Sequence, residues 1–219
     1  LNWEFINSHW SFYIEAAKVT LIIGSAGILF SLFVGVLCSY IQYYKIPILK
    51  NIVSIYIEIS RNTPLLIQLF FIYYGLPKVG ILWSAEMCAI VGLTFLGGSY
   101  MAESMRSGLE AIEEIQIQSG LSLGFTKFQV MRYIIFPQAL AISFSSIGAN
   151  IIFLIKETSV FSIIALPDLV YVAKDLIGIS YNTDEALFML VVSYFCILIV
   201  ISTGISYLER KLRYAAFGN

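Results

Sequence analysis

The sequence predicts an all-α membrane protein with five transmembrane helices, and three observations predict it. Of 219 residues, 59% are apolar and only 12% are Asp, Glu, Lys or Arg, whereas ordinary soluble domains carry about 25% charge. So few charges leave a soluble monomer of this size unable to cover itself with polar surface. Residues 19–44, 133–155 and 186–208 run for 26, 23 and 23 residues without a charge, and a helix crosses hydrocarbon in about 20. Two further intervals reach that length by accepting charge: 51–77 contains Glu58 and Arg61, and 79–102 contains Glu86.

The first span is too long for a signal-peptide core and no basic segment leads it, so it is expected to be retained. Leu1 in place of Met points to trimmed first residues. The second and third spans follow at 51–77 and 79–102, where Gly92, Gly97 and Gly98 read as close helix contacts. The loop over about 106–132 carries Glu110, Glu113 and Glu114, then Gly120 and Gly124, then Thr126 with Gln129 three residues on. The last pair is a capping-box signature, and Phe128, Met131 and Ile135 give the next helix an apolar side. The loop therefore reads as helix, glycine turn, helix. After the fourth span comes an outer loop over about 159–185; promoting 158–167 and 176–183 would force a seven-helix count, but both runs are too short to cross and better suit re-entrant or interfacial pieces. Asn182-Thr183-Asp184-Glu185 supplies an N-cap and an acidic first turn to the fifth span. No internal repeat is evident.

Five crossings put the termini on opposite sides of the membrane. With the N-terminus outside, Lys45, Lys50, Arg106, Lys127, Arg132, Arg210, Lys211 and Arg213 face the cytoplasm, eight of thirteen basic residues, and only Lys78 and Lys174 lie clearly outside.

Catalytic chemistry is scarce. Net charge is −1 with no Lys/Arg run, which disfavours a nucleic-acid partner. Cys38, Cys88 and Cys196 are far apart in apolar stretches, and His9 has no ligand or carboxylate at useful spacing, so neither a metal nor a general base is expected. The glycines at 75 and 80 have phosphate-loop spacing, but Ile81 and Leu82 stand where Lys and Ser/Thr would bind phosphate and magnesium. The chain is thus expected to hold no cofactor and no nucleotide. Any ATP belongs to another subunit.

Gln116-Ile117-Gln118-Ser119-Gly120-Leu121-Ser122-Leu123-Gly124, followed after nine residues by Ile134 and then Phe136-Pro137, resembles the signature loop of bacterial ABC importer permeases. That signature runs Glu-Ala-Ala, three residues, Gly, nine residues, Ile, one residue, Leu-Pro. Gly124, Ile134 and Pro137 match at the required spacing, Gln118-Ser119-Gly120 replaces Glu-Ala-Ala, and Phe136 replaces Leu. Three more blocks resemble the polar amino acid subfamily. Tyr56 to Phe70 is similar to its Glu-x-x-Arg-Gly-Thr-Pro-Leu-Leu-x-Gln segment, with Asn62 for Gly. Gly98-Ser99-Tyr100-Met101-Ala102-Glu103 with Arg106-Ser107-Gly108 resembles Gly-Ala-Tyr-x-Ala-Glu-x-x-Arg-Gly-Gly, and Leu154 to Ser159 resembles Leu-x-Lys-Asp-Thr-Ser. The blocks keep the family's order over about three quarters of the chain.

This resemblance implies that residues 1–219 form a single transmembrane permease domain with the type I ABC importer fold, in a bacterial cytoplasmic (inner) membrane. It implies a cytoplasmic ABC ATPase dimer carrying ATP and magnesium, an extracytoplasmic solute-binding protein, and a second permease subunit, identical or homologous. Polar amino acids are the implied cargo. Gln116, Gln118, Ser119, Gly120, Gly124 and Pro137 would couple to the ATPase. Charges within a span face a wet or protein-lined space, so Glu58, Arg61, Thr63, Asn150, Lys156, Glu157 and Thr158 form the expected substrate path. Glu58 and Arg61, three apart, are placed to neutralise each other, and Glu103 and Arg106 repeat the spacing as a structural pair at the cytoplasmic end. Two readings of Lys156 and Glu157 stand: an outer interface with Lys156 snorkelling, or a pathway in which Glu157 accepts hydrogen bonds from a substrate ammonium. The competing class is a secondary transporter driven by an ion gradient. Against it stand the missing repeat and the long amphipathic loop.

Overall fold

The computed structural model describes residues 1–218, and every regular element among them is helical. Helix α1 spans Trp3–Tyr43, α2 Leu49–Arg61, α3 Leu65–Phe70, α4 Ala85–Glu110, α5 Glu114–Ser122, α6 Lys127–Val130, α7 Phe136–Glu157, α8 Leu169–Ser180 and α9 Thr183–Phe217. Asn2 starts α1 by accepting the amides of Glu4 and Phe5, and Ser84 starts α4 by accepting that of Met87. Asn2 thereby satisfies two orphan donors of its first turn and Ser84 one.

Four helical stretches are long and apolar enough to cross a membrane: Trp3–Tyr43, Ala85–Glu110, Lys127–Ile164 and Thr183–Ala215. They contain the three charge-free intervals, and α4 begins and ends later than the expected 79–102. The expected span over 51–77 is not one helix. It divides at Asn62-Thr63-Pro64 into the 13-residue α2 and the shorter apolar stretch Leu65–Val79. Pro64 disfavours helical backbone at Thr63 and cannot donate to a preceding turn, so the chain leaves the helix there and restarts at Leu65.

Two π-helical turns, Phe71–Gly75 and Met131–Ile135, each end two residues before a proline, Pro77 and Pro137. A proline inside a helix clashes with the carbonyl four residues back. Widening the preceding turn relieves that clash without stopping the helix, which lets Lys127–Ile164 run as one rod.

The centre of the fold is α1 packed along α4, with α7 against both of them and α9 packed on α7 and α1. Gly97 of α4 makes this approach possible: a Cβ there would lie 2.3 Å from Ser31 Oγ and 2.7 Å from Leu154 Cδ1. The hydroxyl of Ser31 donates to the carbonyls of Gly27 at 2.8 Å and Leu93 at 3.2 Å, so the buried contact remains hydrogen-bonded. Leu69, Leu93, Met101, Leu154, Phe161 and Ile164 close this core. A second core joins α1, α8 and α9 through Tyr13, Leu169, Ala173 and Met189, with the Tyr13 hydroxyl donating to Ala186 O at 2.7 Å.

At the start of α9, Asn182 does not cap with its side chain. The acidic first turn is present, but Glu185 points across to α1 and accepts the Asn2 amide at 2.7 Å. Residues 158–167 and 176–183, expected as re-entrant or interfacial, supply the 3₁₀ segment Thr158–Ile164 and the end of α8.

Candidate functional site

The break between α2 and α3 is held open by its own side chains. Asn62 Nδ2 donates to Glu58 O at 2.8 Å, which also takes the Asn62 amide, and Thr63 Oγ1 donates to Ile59 O at 2.8 Å, so side chains satisfy the last carbonyls of α2. From the far side, Gln68 Nε2 donates to Ser60 O at 3.1 Å and Thr63 O at 2.9 Å. Tyr56 and Ser60 hydroxyls both donate to Phe95 O at 2.8 Å, fixing α2 against α4.

Two cavities open beside this break. One, of about 520 Å³, is lined by Gln42, Ser54, Glu58, Arg61, Glu103 and Arg106. The other, of about 290 Å³, is lined by Thr63, Pro64, Leu96, Phe153, Glu157 and Val160. Arg61, Asn62 and Tyr100 border both. The Arg61 guanidinium carbon stands 5.2 Å from the centre of the Tyr100 ring, a cation–π contact. Its nearest carboxylate is Glu103 at 3.9 Å. The pairing of Arg61 with Glu58 expected from their spacing is not made, because α4 brings Glu103 alongside while Glu58 turns into the larger cavity. Arg106 pairs with Glu103 as expected, and with Glu110 at 2.6 Å.

Of the residues expected along the path, Glu58, Arg61, Thr63 and Glu157 come together at these cavities. The other three point elsewhere. Asn150 Nδ2 donates to Ser104 Oγ at 2.8 Å and Tyr100 O at 3.2 Å, bracing α7 on α4. Thr158 is fully buried with its hydroxyl on Ile155 O at 2.7 Å. Lys156 is exposed and borders neither cavity. Sequence reasoning did not assign Tyr100, Glu103 or Gln68 to the site, although Tyr100 and Glu103 lie three apart on one helix and so share a face.

The second candidate region is the segment between α4 and α7. The capping box forms as expected: Thr126 Oγ1 accepts the Gln129 amide and Gln129 Oε1 accepts the Thr126 amide. Gly124 has φ +88°, the left-handed turn that ends α5. Gly120 is not part of the turn. It is a buried position within α5, where a Cβ would lie 2.7 Å from Ile134 Cδ1 and 3.0 Å from Val130 Cγ2. Gln138 Nε2 donates to Gln116 Oε1 at 2.7 Å, fastening α5 to α7 one residue beyond Pro137. A small core of Ile112, Val130, Ile135 and Ala139 completes the attachment. Gln118 and Ser119 face outward, as do Ile115, Leu123 and Phe128. Phe128 therefore leaves the apolar side expected of it, while Met131 and Ile135 keep to it. The segment is a short helix seated on the bundle, with an exposed outer surface in which apolar Ile115, Leu123 and Phe128 alternate with polar Glu114, Gln118 and Ser119.

Among the described residues no group of His, Cys, Asp or Glu is arranged to hold a metal. Residues 27–214 match the family model described as "binding-protein-dependent transport system inner membrane component". The probable amino-acid permease protein YxeN of Bacillus subtilis (strain 168) is 38% identical over 73% of this chain and 72% of its own length. The probable amino-acid ABC transporter permease protein PatM of Vibrio harveyi is 33% identical over 90% of this chain and 89% of its own. A solved structure, an amino acid ABC transporter with histidines, superposes with a TM-score of 0.89 at 28% identity, covering 96% of this chain and 99% of that one. The chain belongs to the family of binding-protein-dependent transport system inner membrane components, the multi-pass permeases of ABC importers whose ATP is hydrolysed by a separate subunit.

Proposed function

We propose that the cargo is a polar amino acid, and that the cavity shared by Arg61 and Glu157 is where the chain meets it. The observation that carries this reading is charge placement. One space of about 290 Å³ is bordered by a guanidinium from α2 and a carboxylate from α7, with Thr63, Asn62 and the Tyr100 ring between. An α-amino acid is a zwitterion, so its carboxylate suits the guanidinium and its ammonium suits the carboxylate. Two relatives and a structural neighbour bear amino-acid names.

The chain works with a second permease subunit, a cytoplasmic ATPase pair and an extracytoplasmic binding protein. Its N-terminus is outside. That orientation puts the end of the bundle holding Tyr43, Glu110, α5 and Arg132 in the cytoplasm, with most of the basic residues. The ATPase grips α5 and the Gly124 turn, with Gln116, Gln118, Ser119, Gly120 and Pro137 shaping the contact. ATP-driven closure of the ATPases pulls on α5, and α7 transmits the pull through the Gln116–Gln138 bond and the rod Lys127–Ile164. The two permease subunits then rock between inward and outward states.

Reconstitution of the chain with its ATPase and binding protein into sealed vesicles, followed by uptake of a panel of radiolabelled amino acids, tests this. ATP-dependent uptake of at least one polar amino acid is expected. Uptake by the chain alone, driven by an ion gradient, would establish the secondary-transporter reading instead.

A further inference from the structure

The ends of α7 and α9 form a groove on the outside of the bundle that the candidate path does not use and that shares only Pro137 with the proposed ATPase contact. It has a volume of about 360 Å³ and is walled by Phe136, Pro137 and Leu140 of α7 and Leu212 and Ala215 of α9, with Arg132 at its mouth. Its position along the helices is set by sequence: the rod containing α7 is charge-free from Tyr133 to Ile155, and α9 is charge-free from Ala186 to Leu208 and then carries Glu209, Arg210, Lys211 and Arg213. Both helices leave their apolar stretches here, so the groove spans the boundary between hydrocarbon and headgroups. Tyr133, two-thirds exposed beside the groove, has the amphipathic ring favoured at that depth.

The charges at the mouth are unbalanced. Glu209 is taken by Arg213 at 3.0 Å. Among the described residues Arg132 and Lys211 make no ion pair, and Lys211, which does not itself line the groove, lies four residues before Ala215 on α9. An apolar trough capped by an unpaired guanidinium and a neighbouring ammonium matches an acyl chain joined to an anionic phosphodiester. Arg is the side chain best suited to that group, because its planar fork takes two phosphate oxygens at once.

We propose that this groove binds one anionic phospholipid, its phosphodiester on Arg132 with Lys211 near and one acyl chain along Phe136, Leu140 and Leu212. The site lies on the rod that joins α5 to the bundle, so a bound lipid also braces the end of α7 against α9.

Native mass spectrometry of the full chain, titrated in mild detergent with dioleoyl-phosphatidylglycerol or dioleoyl-phosphatidylcholine, tests the proposal. The first adduct is expected to favour the anionic lipid by about fivefold or more, the scale of one basic residue at a membrane surface. Arg132→Gln should remove the preference and Arg132→Lys should keep most of it. Ala215→Trp fills the trough and should weaken both lipids, while Lys18→Gln, within α1 and outside the groove lining, should change nothing. Equal retention of the two lipids by the unaltered chain, a comparison that needs no variant, overturns the proposal. So does an undiminished preference in Arg132→Gln. Efficient cross-linking of two copies through Tyr133→Cys, on a background lacking Cys38, Cys88 and Cys196, would put a second copy in the groove and overturn it equally.

Discussion

Arg61 Nη1 of α2 lies 3.9 Å from Glu103 Oε2 of α4, while Arg106 holds the other oxygen of the same carboxylate. Two guanidiniums share one carboxylate, so Arg61 is only partly neutralised and keeps hydrogen-bonding capacity toward the cavities. The pair is long and substantially exposed, and such pairs contribute little to stability. Arg61→Gln is therefore expected to leave thermal unfolding nearly unchanged and to lower uptake by roughly tenfold to a hundredfold, the scale of one charge-assisted hydrogen bond. Arg61→Lys should fall between, since Lys keeps the charge but not the fork or the stacking on Tyr100. Normal uptake in Arg61→Gln would remove Arg61 from the path.

The contact between α1, α4 and α7 makes a separate prediction about stability. Gly97→Ala places a methyl within 3 Å of Ser31 and Leu154, and overpacking of this kind costs about 1–3 kcal/mol. Gly204→Ala meets nothing within 4 Å and serves as the control. Scanning fluorimetry in detergent should show a lower melting temperature for the first only. Equal melting of the two would mean that the helices separate freely at Gly97.

How much of this was legible in the sequence depended on whether the cause was local. Charge-free intervals identified α1, α7 and α9 because hydrocarbon imposes a length and forbids charge, and both constraints act on consecutive residues. The capping box of Thr126 and Gln129 is local in the same way. The division of the second expected span was written in Pro64, yet counting charges alone passed over it. The partner of Arg61 was not legible: a three-residue spacing suggests Glu58, and only the packing of α2 on α4 brings Glu103 alongside. Gly120 and Gly124 look alike in sequence. One is needed for a close approach and the other for a positive φ, and only the surrounding backbone separates these reasons.

That difference makes the two glycines a pair of probes for ATPase docking. Gly124→Val strains a left-handed turn by about 1–3 kcal/mol at a position where an added Cβ meets nothing within 4 Å. Gly120→Val instead drives α5 away from Ile134 and Val130. Both variants should insert normally and both should co-purify with less ATPase. Gly120→Val should in addition weaken the attachment of α5 to α7, read as faster protease cleavage near Glu113. Full transport with normal stoichiometry in Gly124→Val would refute docking at this turn.

Asp168 provides the pH prediction. It lies between the span ending at Ile164 and α8, fully buried, with Oδ1 accepting the Tyr171 amide at 2.8 Å and Oδ2 without a partner. Burial raises its pKa from 3.8 to about 7, against the lowering effect of the cap hydrogen bonds. Folded protein therefore holds a proton that unfolded protein has lost, and stability falls as pH rises from about 4 through about 7 and then levels off. Asp168→Asn keeps the cap acceptor and removes the titration. Melting curves across that range should slope downward for the unaltered chain and lie flatter for Asp168→Asn. Parallel slopes would mean that another group carries the dependence.

Glu157 is the residue on which the amino-acid reading can be tested most directly. It ends α7, half-buried, and borders the same cavity as Arg61 and Thr63. Its neighbour Lys156 is exposed and does not border the cavity, and the Glu157 carboxylate makes no salt bridge among the described residues. Holding an unpaired carboxylate at a helix end beside a cavity costs solvation unless a cation visits. An amino-acid ammonium supplies that cation. Glu157→Gln keeps the shape and one acceptor oxygen but removes the charge and turns the other oxygen into a donor, so ammonium binding should weaken by about tenfold or more. Uptake at limiting substrate should drop accordingly, while ATPase co-purification and the substrate affinity of the binding protein stay as they were. A cargo analogue lacking the α-amino group sharpens the test: the unaltered chain should discriminate against it, and Glu157→Gln should lose that discrimination. If the variant takes up amino acid normally and still rejects the analogue, Glu157 is an interfacial residue and the ammonium is recognised elsewhere.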